Sequence, residues 1–358
     1  MLPHPLQLEI LDFSAYSLIV DARSPREFAE DHLPGAVNLP VVDDQQFAEV
    51  GTLHRTDAFR AYQVGVEHSM RNIANQLPQV ATVGAKDRIL VYCFRGGKRS
   101  KLWADTLRTI GYHVDVLRGG WKSYRRWVIN ALTSLPRQLN LVVVTGPTGA
   151  GKTRLLQALR DQGEQVVDLE ALAGHRGSLI GAIPATVQPT QKQFDSDLLQ
   201  ALRSLDPSRR IWIEDESKKI GNVQLPEALH SAIQFAPRLE VTADMAQRVL
   251  LWREDYPNLA ADPVQMVSTL AAIRPLVGGE EYAAWQTLAL ESKVDELFER
   301  VMVKHYDPCY ARTAKRSHSP QASTIQLHLA DMSTAGLQAA AQRAVELAST
   351  LGPGRETD

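Results

Sequence analysis

LVVVTGPTGAGKT, Leu141 to Thr153, reads as a short apolar strand that runs into a glycine-rich turn and then a helix. Its apolar part is strand-sized and far below membrane-spanning length. The turn has the spacing G-x-x-x-x-G-K-T, a complete Walker A motif in the strand–turn–helix setting that the motif requires. Glycines free the backbone N–H groups to wrap a diphosphate, Lys152 neutralises it, and the Thr153 hydroxyl suits Mg2+. The diphosphate-binding set is therefore Gly146, Thr148, Gly149, Ala150, Gly151, Lys152 and Thr153. The motif does not say which diphosphate. ATP hydrolysis, a kinase reaction and binding of another diphosphate all remain open.

Towards the carboxyl end, strands are expected at QVVDLE (from Gln165), RIWIEDE (from Arg210), RLEVT (from Arg238) and STIQLHLAD (from Ser323). Helical spacing fills most of 228–300, and a last helix is expected over about 335–350, capped by Ser333 or Thr334. Ligands of open α/β sheets collect at the carboxyl ends of strands. Glu214 and Asp215, with Asp168, His175, Arg176 and Ser178, are thus candidates for a secondary pocket, and Thr153 with Asp215 for the metal.

Towards the amino end, LIVDA (from Leu18), ILVYC (from Ile89) and VDVLRGG (near Val114) alternate with helical stretches at PREFAEDH, capped by Ser24, and at 100–110. Such alternation predicts a second parallel, helix-flanked sheet. The expected division is 1–133, then 137–350 with a helical insertion at about 243–300, then a disordered tail 351–358; TSLPRQ marks the join.

VYCFRGGKRS places Cys93 between a buried strand and a helix. Gly96 and Gly97 permit a turn of inward N–H groups, while Arg95, Lys98 and Arg99 and the helix dipole favour a thiolate. Cys93, Arg95, Gly96, Gly97, Arg99 and Ser100 form the catalytic candidate, and Cys309 is read as a packing residue. Two cysteines in unlike settings make neither a disulfide framework nor a zinc pair, so a reducing cytoplasmic setting is expected and no metal cluster. MLPHPLQLEI is no signal peptide and no membrane association is expected.

A net charge of −2 advertises no nucleic acid globally, yet Arg95–Arg126 carries nine Lys/Arg against two acids. Lys98, Lys101, Lys122, Arg125 and Arg126, and in a second basic stretch Arg312, Lys315 and Arg316, are candidates for RNA phosphates. The tryptophans among them are read as core.

VDARSPREF, HLPGAVNLP, CFRGGKRS and LRGGWKSY resemble, in order, the signatures of a rhodanese domain. Cys93 followed, after five intervening residues, by Arg99 also meets the minimal pattern of rhodanese-like cysteine phosphatases, so a phosphatase and a sulfurtransferase fused to an ATP-using domain stand as rivals. With GPTGAGKT, DLEALAGHRGS, EDESKKIG and HYDPCYAR following, the chain from about Asp21 to Arg312 is similar to the tRNA 2-selenouridine synthase family. HRGSLIG departs from the family pattern, lacking an aromatic residue before its last glycine. The resemblance implies a transferase acting on tRNA that carries wobble 2-thiouridine. It would use geranyl diphosphate at the Walker loop and selenophosphate at Cys93, with a selenophosphate-supplying enzyme as partner.

Overall fold

The computed structural model describes residues 10, 12–84, 86–177, 186–317, 319 and 322–351. The expected disordered tail falls almost wholly at 352–358, outside the described residues. The chain forms two compact units, Met1–Leu132 with Pro189–Gln200, and Thr133–Gln188 with Ala201–Asp358.

The first unit contains β1 (Leu18–Asp21), α1 (Pro25–Glu30), β2 (Ala36–Asn38), α2 (Asp44–Leu53), α3 (Ala58–Val80), β3 (Arg88–Tyr92), α4 (Lys98–Ile110), β4 (His113–Val116) and α5 (Gly120–Ser134, which runs past the unit's end). Its sheet has the order β2-β1-β3-β4, all parallel, with Leu18 opposite Ile89 and Arg88 opposite His113. Ile89 to Tyr92 of β3 are fully buried, as a strand covered by helices on both faces must be. The chain leaves the end of this interior strand at Cys93.

One difference from the sequence reading concerns the division itself. Pro189–Gln200 packs with the first unit, not with the residues around it in sequence. The segment buries Phe194, Leu198 and Leu199, and Ser196 Oγ donates to Asp31 at 2.7 Å. Arg125 pairs with Asp195, and Lys192 with Glu30 at 2.5 Å. Amphipathic spacing announces such a helix but does not say which core its apolar face joins.

The second unit comprises β5 (Asn140–Thr145), α6 (Lys152–Asp161), β6 (Gln165–Val167), α7 (Leu169–Ala173), the end of α8 (Gln191–Arg203), β7 (Arg210–Glu214), a β8–β9 hairpin (Lys219–Ile220, Val223–Gln224), α9 (Glu227–Phe235) and β10 (Arg238–Ala243). Short helices follow: α10 (Met245–Asp255), α11 (Pro257–Ala261), α12 (Pro263–Thr269), α13 (Arg274–Val277), α14 (Gly279–Leu290) and α15 (Val294–Val301). A π-helical turn, Met302–Tyr306, leads to α16 (Asp307–Ser317), β11 (Thr324–Leu329) and α17 (Thr334–Ala348). Ser333 caps α17, its side chain accepting from Gly336 N–H at 3.2 Å.

The parallel sheet runs β11-β10-β5-β7-β6. β5 lies in its middle: the chain moves to one side for β6 and β7 and to the other for β10 and β11. The turn after β5 therefore opens at the switch in strand order, where such sheets hold ligands. The helices after β10 have a core of Trp252, Met266, Trp285, Phe298 and neighbours.

Candidate active site

In the first unit, the loop from Phe94 to Arg99 wraps the sulfur of Cys93. Sγ accepts from Gly97 N–H at 3.3 Å and lies 3.3 Å from Ser100 Oγ. Burial pushes the thiol up, but the Ser100 hydroxyl, the N–H groups of Ser100 and Arg95 and the charge of Arg99 outweigh it, and the thiol sits below its ordinary value. Cys93 is only 2% exposed, with its inner flank in the apolar core beside Val91 and Trp103. Every residue of the outer loop, 94–99, is at least partly exposed.

The loop keeps its shape because the LRGGW turn is pressed against it. Trp121 N–H donates to Cys93 O at 2.9 Å and Lys122 N–H to Phe94 O at 3.0 Å. Gly96 has φ +68° and Gly120 φ +58°, and a Cβ on Gly120 would stand 2.1 Å from Cys93 O. No side chain fits at that crossing.

The predicted cations divide. Arg99 is clamped to Glu27 at 2.5 Å, and Glu27 also accepts from Ser24 N–H at 3.1 Å. Arg125 is a correction to the RNA-contact set, since Asp195 and the carbonyl of Lys192 (3.0 Å) occupy its guanidinium. Lys98, Lys101, Lys122 and Arg126 are exposed. Trp103 and Trp121 lie in the core, as read, and so does Tyr124, whereas Trp127 is only half-buried. In the second unit Arg312 is exposed, while the side chains of Lys315 and Arg316 lie outside the described residues.

The Walker turn is built on three left-handed or extended glycines, Gly146 (φ +148°), Gly149 (φ +75°) and Gly151 (φ +87°). A Cβ on Gly146 would come within 2.3 Å of Val241 O, so β10 passes directly behind the turn. Lys152 Nζ rests on the carbonyls of Gly146 (3.0 Å) and Pro147 (3.4 Å), inside the loop. Gly146, Thr148, Gly149, Gly151, Lys152 and Thr153 line a cavity of about 690 Å³, whereas Ala150 is buried behind it.

The acidic wall differs from the sequence assignment. Thr153 Oγ1 donates to Glu214 at 3.2 Å and lies 3.4 Å from Glu170, while Asp215 accepts from Thr145 Oγ1 at 2.6 Å and lies 3.6 Å from Arg238. Asp215 lines the same cavity but is engaged by Thr145, and Glu214, one residue back on the strand, is the carboxylate that meets Thr153. Glu170, Glu214 and Glu216 bring carboxylate oxygens within 4.8 Å of one another. Burial and then the charge of Glu170 hold Glu214 well above the usual carboxylate range and push Glu216 up to about 8. Such a cluster matches a hard divalent cation, which prefers oxygen ligands and would relieve the repulsion.

Of the remaining secondary-pocket candidates, Arg176 lines the cavity, its guanidinium 4.6 Å from the Tyr256 ring centre. Asp168 instead caps α7 by accepting from Ala171 N–H at 2.8 Å. His175 is not among the lining residues, and Ser178 lies outside the described residues.

Several residues in or beside the cavity escaped the sequence reading. Arg248 donates to Thr148 O at 2.7 Å and pairs with Asp307 at 2.7 Å, fixing the flank of the Walker turn. Tyr310 OH lies 3.1 Å from Thr145 Oγ1, and burial pushes its phenol up to about 12. Asp307 and Tyr310 belong to HYDPCYAR, a motif in which only Cys309 and Arg312 had been given a role. Cys309, expected to pack, lines the cavity with Sγ 3.8 Å from His305 Nδ1 and 3.1 Å from an Arg312 nitrogen. Leu251, Trp252, Tyr256, Phe298 and Tyr306 make an apolar and aromatic wall. These side chains look like ordinary core in sequence.

Comparison with known proteins accords with this geometry. Residues 139–326 match the family described as the tRNA 2-selenouridine synthase AAA domain, and residues 7–126 the rhodanese-like domain. A tRNA 2-selenouridine synthase of Nitrosomonas europaea is 35% identical over 75% of this chain and 71% of its own. Proteins of the same name from Bdellovibrio bacteriovorus (34%; 84% and 89% covered) and Marinobacter nauticus (30%; 82% and 87%) are similarly related.

Proposed function

The chain belongs to the tRNA 2-selenouridine synthase family, and from that premise we propose that it modifies wobble 2-thiouridine in tRNA, by S-geranylation and then by exchange of the sulfur for selenium. The observation that carries the reading is the cavity over Lys152, lined both by the phosphate-binding turn and by Leu251, Trp252, Tyr256 and Phe298. That combination suits a diphosphate joined to a short hydrocarbon better than it suits a polar nucleoside.

In the first step the thiocarbonyl sulfur attacks the allylic carbon, and its C–O bond breaks to release pyrophosphate. The loop N–H groups and Lys152 stabilise the charge developing on that leaving group. The N3 proton is lost, leaving a neutral S-alkyl base. Thr153, Glu170, Glu214 and Glu216 would hold Mg2+, which when bound neutralises part of the pyrophosphate charge. Arg248 and Asp307 hold the Walker turn in shape through Thr148 O.

In the second step a selenium nucleophile derived from selenophosphate attacks C2, and the C–S bond breaks. The sulfur leaves as geranyl thiol, a far better leaving group than the sulfide anion it would otherwise be. Cys93, with its thiol held down by Ser100 and the loop N–H groups, is the residue suited to handle that selenium.

The test is mass spectrometry of tRNA nucleosides after incubation with geranyl diphosphate and selenophosphate, each omitted in turn. Omitting selenophosphate should leave S-geranyl-2-thiouridine, and omitting geranyl diphosphate should leave 2-thiouridine unchanged. Selenium incorporation without the geranyl donor, or rapid ATP turnover without tRNA, would overturn the reading.

A further inference from the structure

The mouth of the Cys93 loop carries cation–aromatic contacts that neither the catalytic loop nor the fold requires. Lys98 Nζ lies 3.3 Å from the centre of the Tyr62 ring, and the Arg95 guanidinium lies 5.7 Å from that of Phe94. Tyr62 is 46% exposed, and Phe59, one turn earlier on α3, is 74% exposed. Val66 and Met70 follow at helical spacing and are also exposed, so one face of α3 is an apolar stripe whose aromatic end meets the cysteine loop. Lys98 and Arg95 have no carboxylate partner among the described residues, in contrast to Arg99, which Glu27 neutralises.

We propose that Phe59 and Tyr62, with Lys98 and Arg95, form the platform on which unpaired nucleotides of the tRNA anticodon loop stack while the wobble base is presented to Cys93. The inference rests on the tRNA reading above and goes beyond it by adding aromatic rings that basic-residue counting does not find. Its physical argument is one of place and chemistry. A wobble base that reacts at Cys93 brings its neighbours in the loop to whatever surrounds that cysteine. Single-stranded nucleotides are held by aromatic faces for the bases and cations for the phosphates. Both are present here within a side chain's reach of one another. A duplex, whose bases are already stacked, has no use for exposed rings.

The test measures binding of the full-length protein to a hairpin RNA carrying the anticodon loop, and to the same stem closed by a tight loop. Tyr62→Ala and Phe59→Ala should each weaken the anticodon hairpin roughly tenfold, as loss of one stacking ring does. Tyr62→Phe, which keeps the ring, should stay within about twofold, and binding of the tight-loop stem should not change in any variant. Unaltered affinity of Tyr62→Ala for the anticodon hairpin would overturn the proposal, as would an equal loss on both RNAs. So would a Tyr62→Ala protein that binds RNA normally but no longer accepts selenium from a donor enzyme, since the stripe would then dock protein. Failure of the underlying tRNA reading is separable, because it would appear in the unmutated protein as an inability to bind or modify tRNA at all.

Discussion

At Cys93 the partner that decides the chemistry is Ser100, in the first turn of α4, because its hydroxyl and N–H both favour the charged sulfur against the burial that opposes it. Ser100→Ala should move the midpoint of Cys93 alkylation by iodoacetamide upward, towards an ordinary thiol. A pH–rate profile of the intact and altered proteins measures this, and coincident profiles would contradict it. At Lys152 the expectation is different in kind. Lys152→Ala should lower geranyl transfer about a hundredfold or more, as removal of an electrostatic stabiliser does, while Cys93 alkylation is unchanged. Glu214 supplies a third case at this scale. Millimolar Mg2+ should raise the melting temperature of the protein, and Glu214→Gln should remove most of that rise. An equal rise in both would show that the ion binds elsewhere. Cys93, Lys152 and Thr153 were legible in the sequence because each sits in a motif with a fixed backbone shape. The cluster of Glu170, Glu214 and Glu216 was not, since neighbouring residues at a strand end point to different sides and only coordinates tell which faces Thr153.

Among the elements, the clasp between α1 and the segment 189–200 is the least expected. Asp31 is wholly buried, accepts from Trp121 Nε1 and Ser196 Oγ, each at 2.7 Å, and burial pushes its carboxyl up to about 6. A carboxyl raised in the fold stabilises it fully below the unfolded value near 4, and that contribution is lost as pH rises through about 6. Asp31→Asn should therefore gain stability relative to the unmutated protein between pH 4 and pH 7, by about 2–3 kcal/mol. Urea unfolding at the two pH values measures the change, and a pH-independent difference would contradict it. The longer strands and the capped helices α1 and α17 were readable from apolar runs and cap residues, whereas the two- and three-residue strands β2, β8 and β9 were not. The helices α2 and α3 were not assigned, because their exposed apolar residues blur the pattern that marks a buried face; Phe59, Tyr62, Val66 and Met70 are all on the outside.

For the whole molecule, two parallel sheets each place one anion-cradling turn at the end of an interior strand, Cys93 after β3 and the Walker turn after β5. The order of motifs carried that architecture into the sequence reading almost intact. The assignment of Pro189–Gln200 to the first unit was invisible, since chain order says nothing about which core a helix joins. The cavity wall was hidden for a related reason, because Trp252 and Phe298 serve the helical core as well as the cavity. The division of labour between the two turns is the claim on which the functional account stands. It is tested most directly by nucleoside mass spectrometry of tRNA treated with Cys93→Ala or Lys152→Ala protein, both co-substrates present. The account predicts that Cys93→Ala accumulates S-geranyl-2-thiouridine without 2-selenouridine, and that Lys152→Ala leaves 2-thiouridine almost untouched. Loss of geranylation in a folded Cys93→Ala protein, or undiminished geranylation by Lys152→Ala, would contradict it.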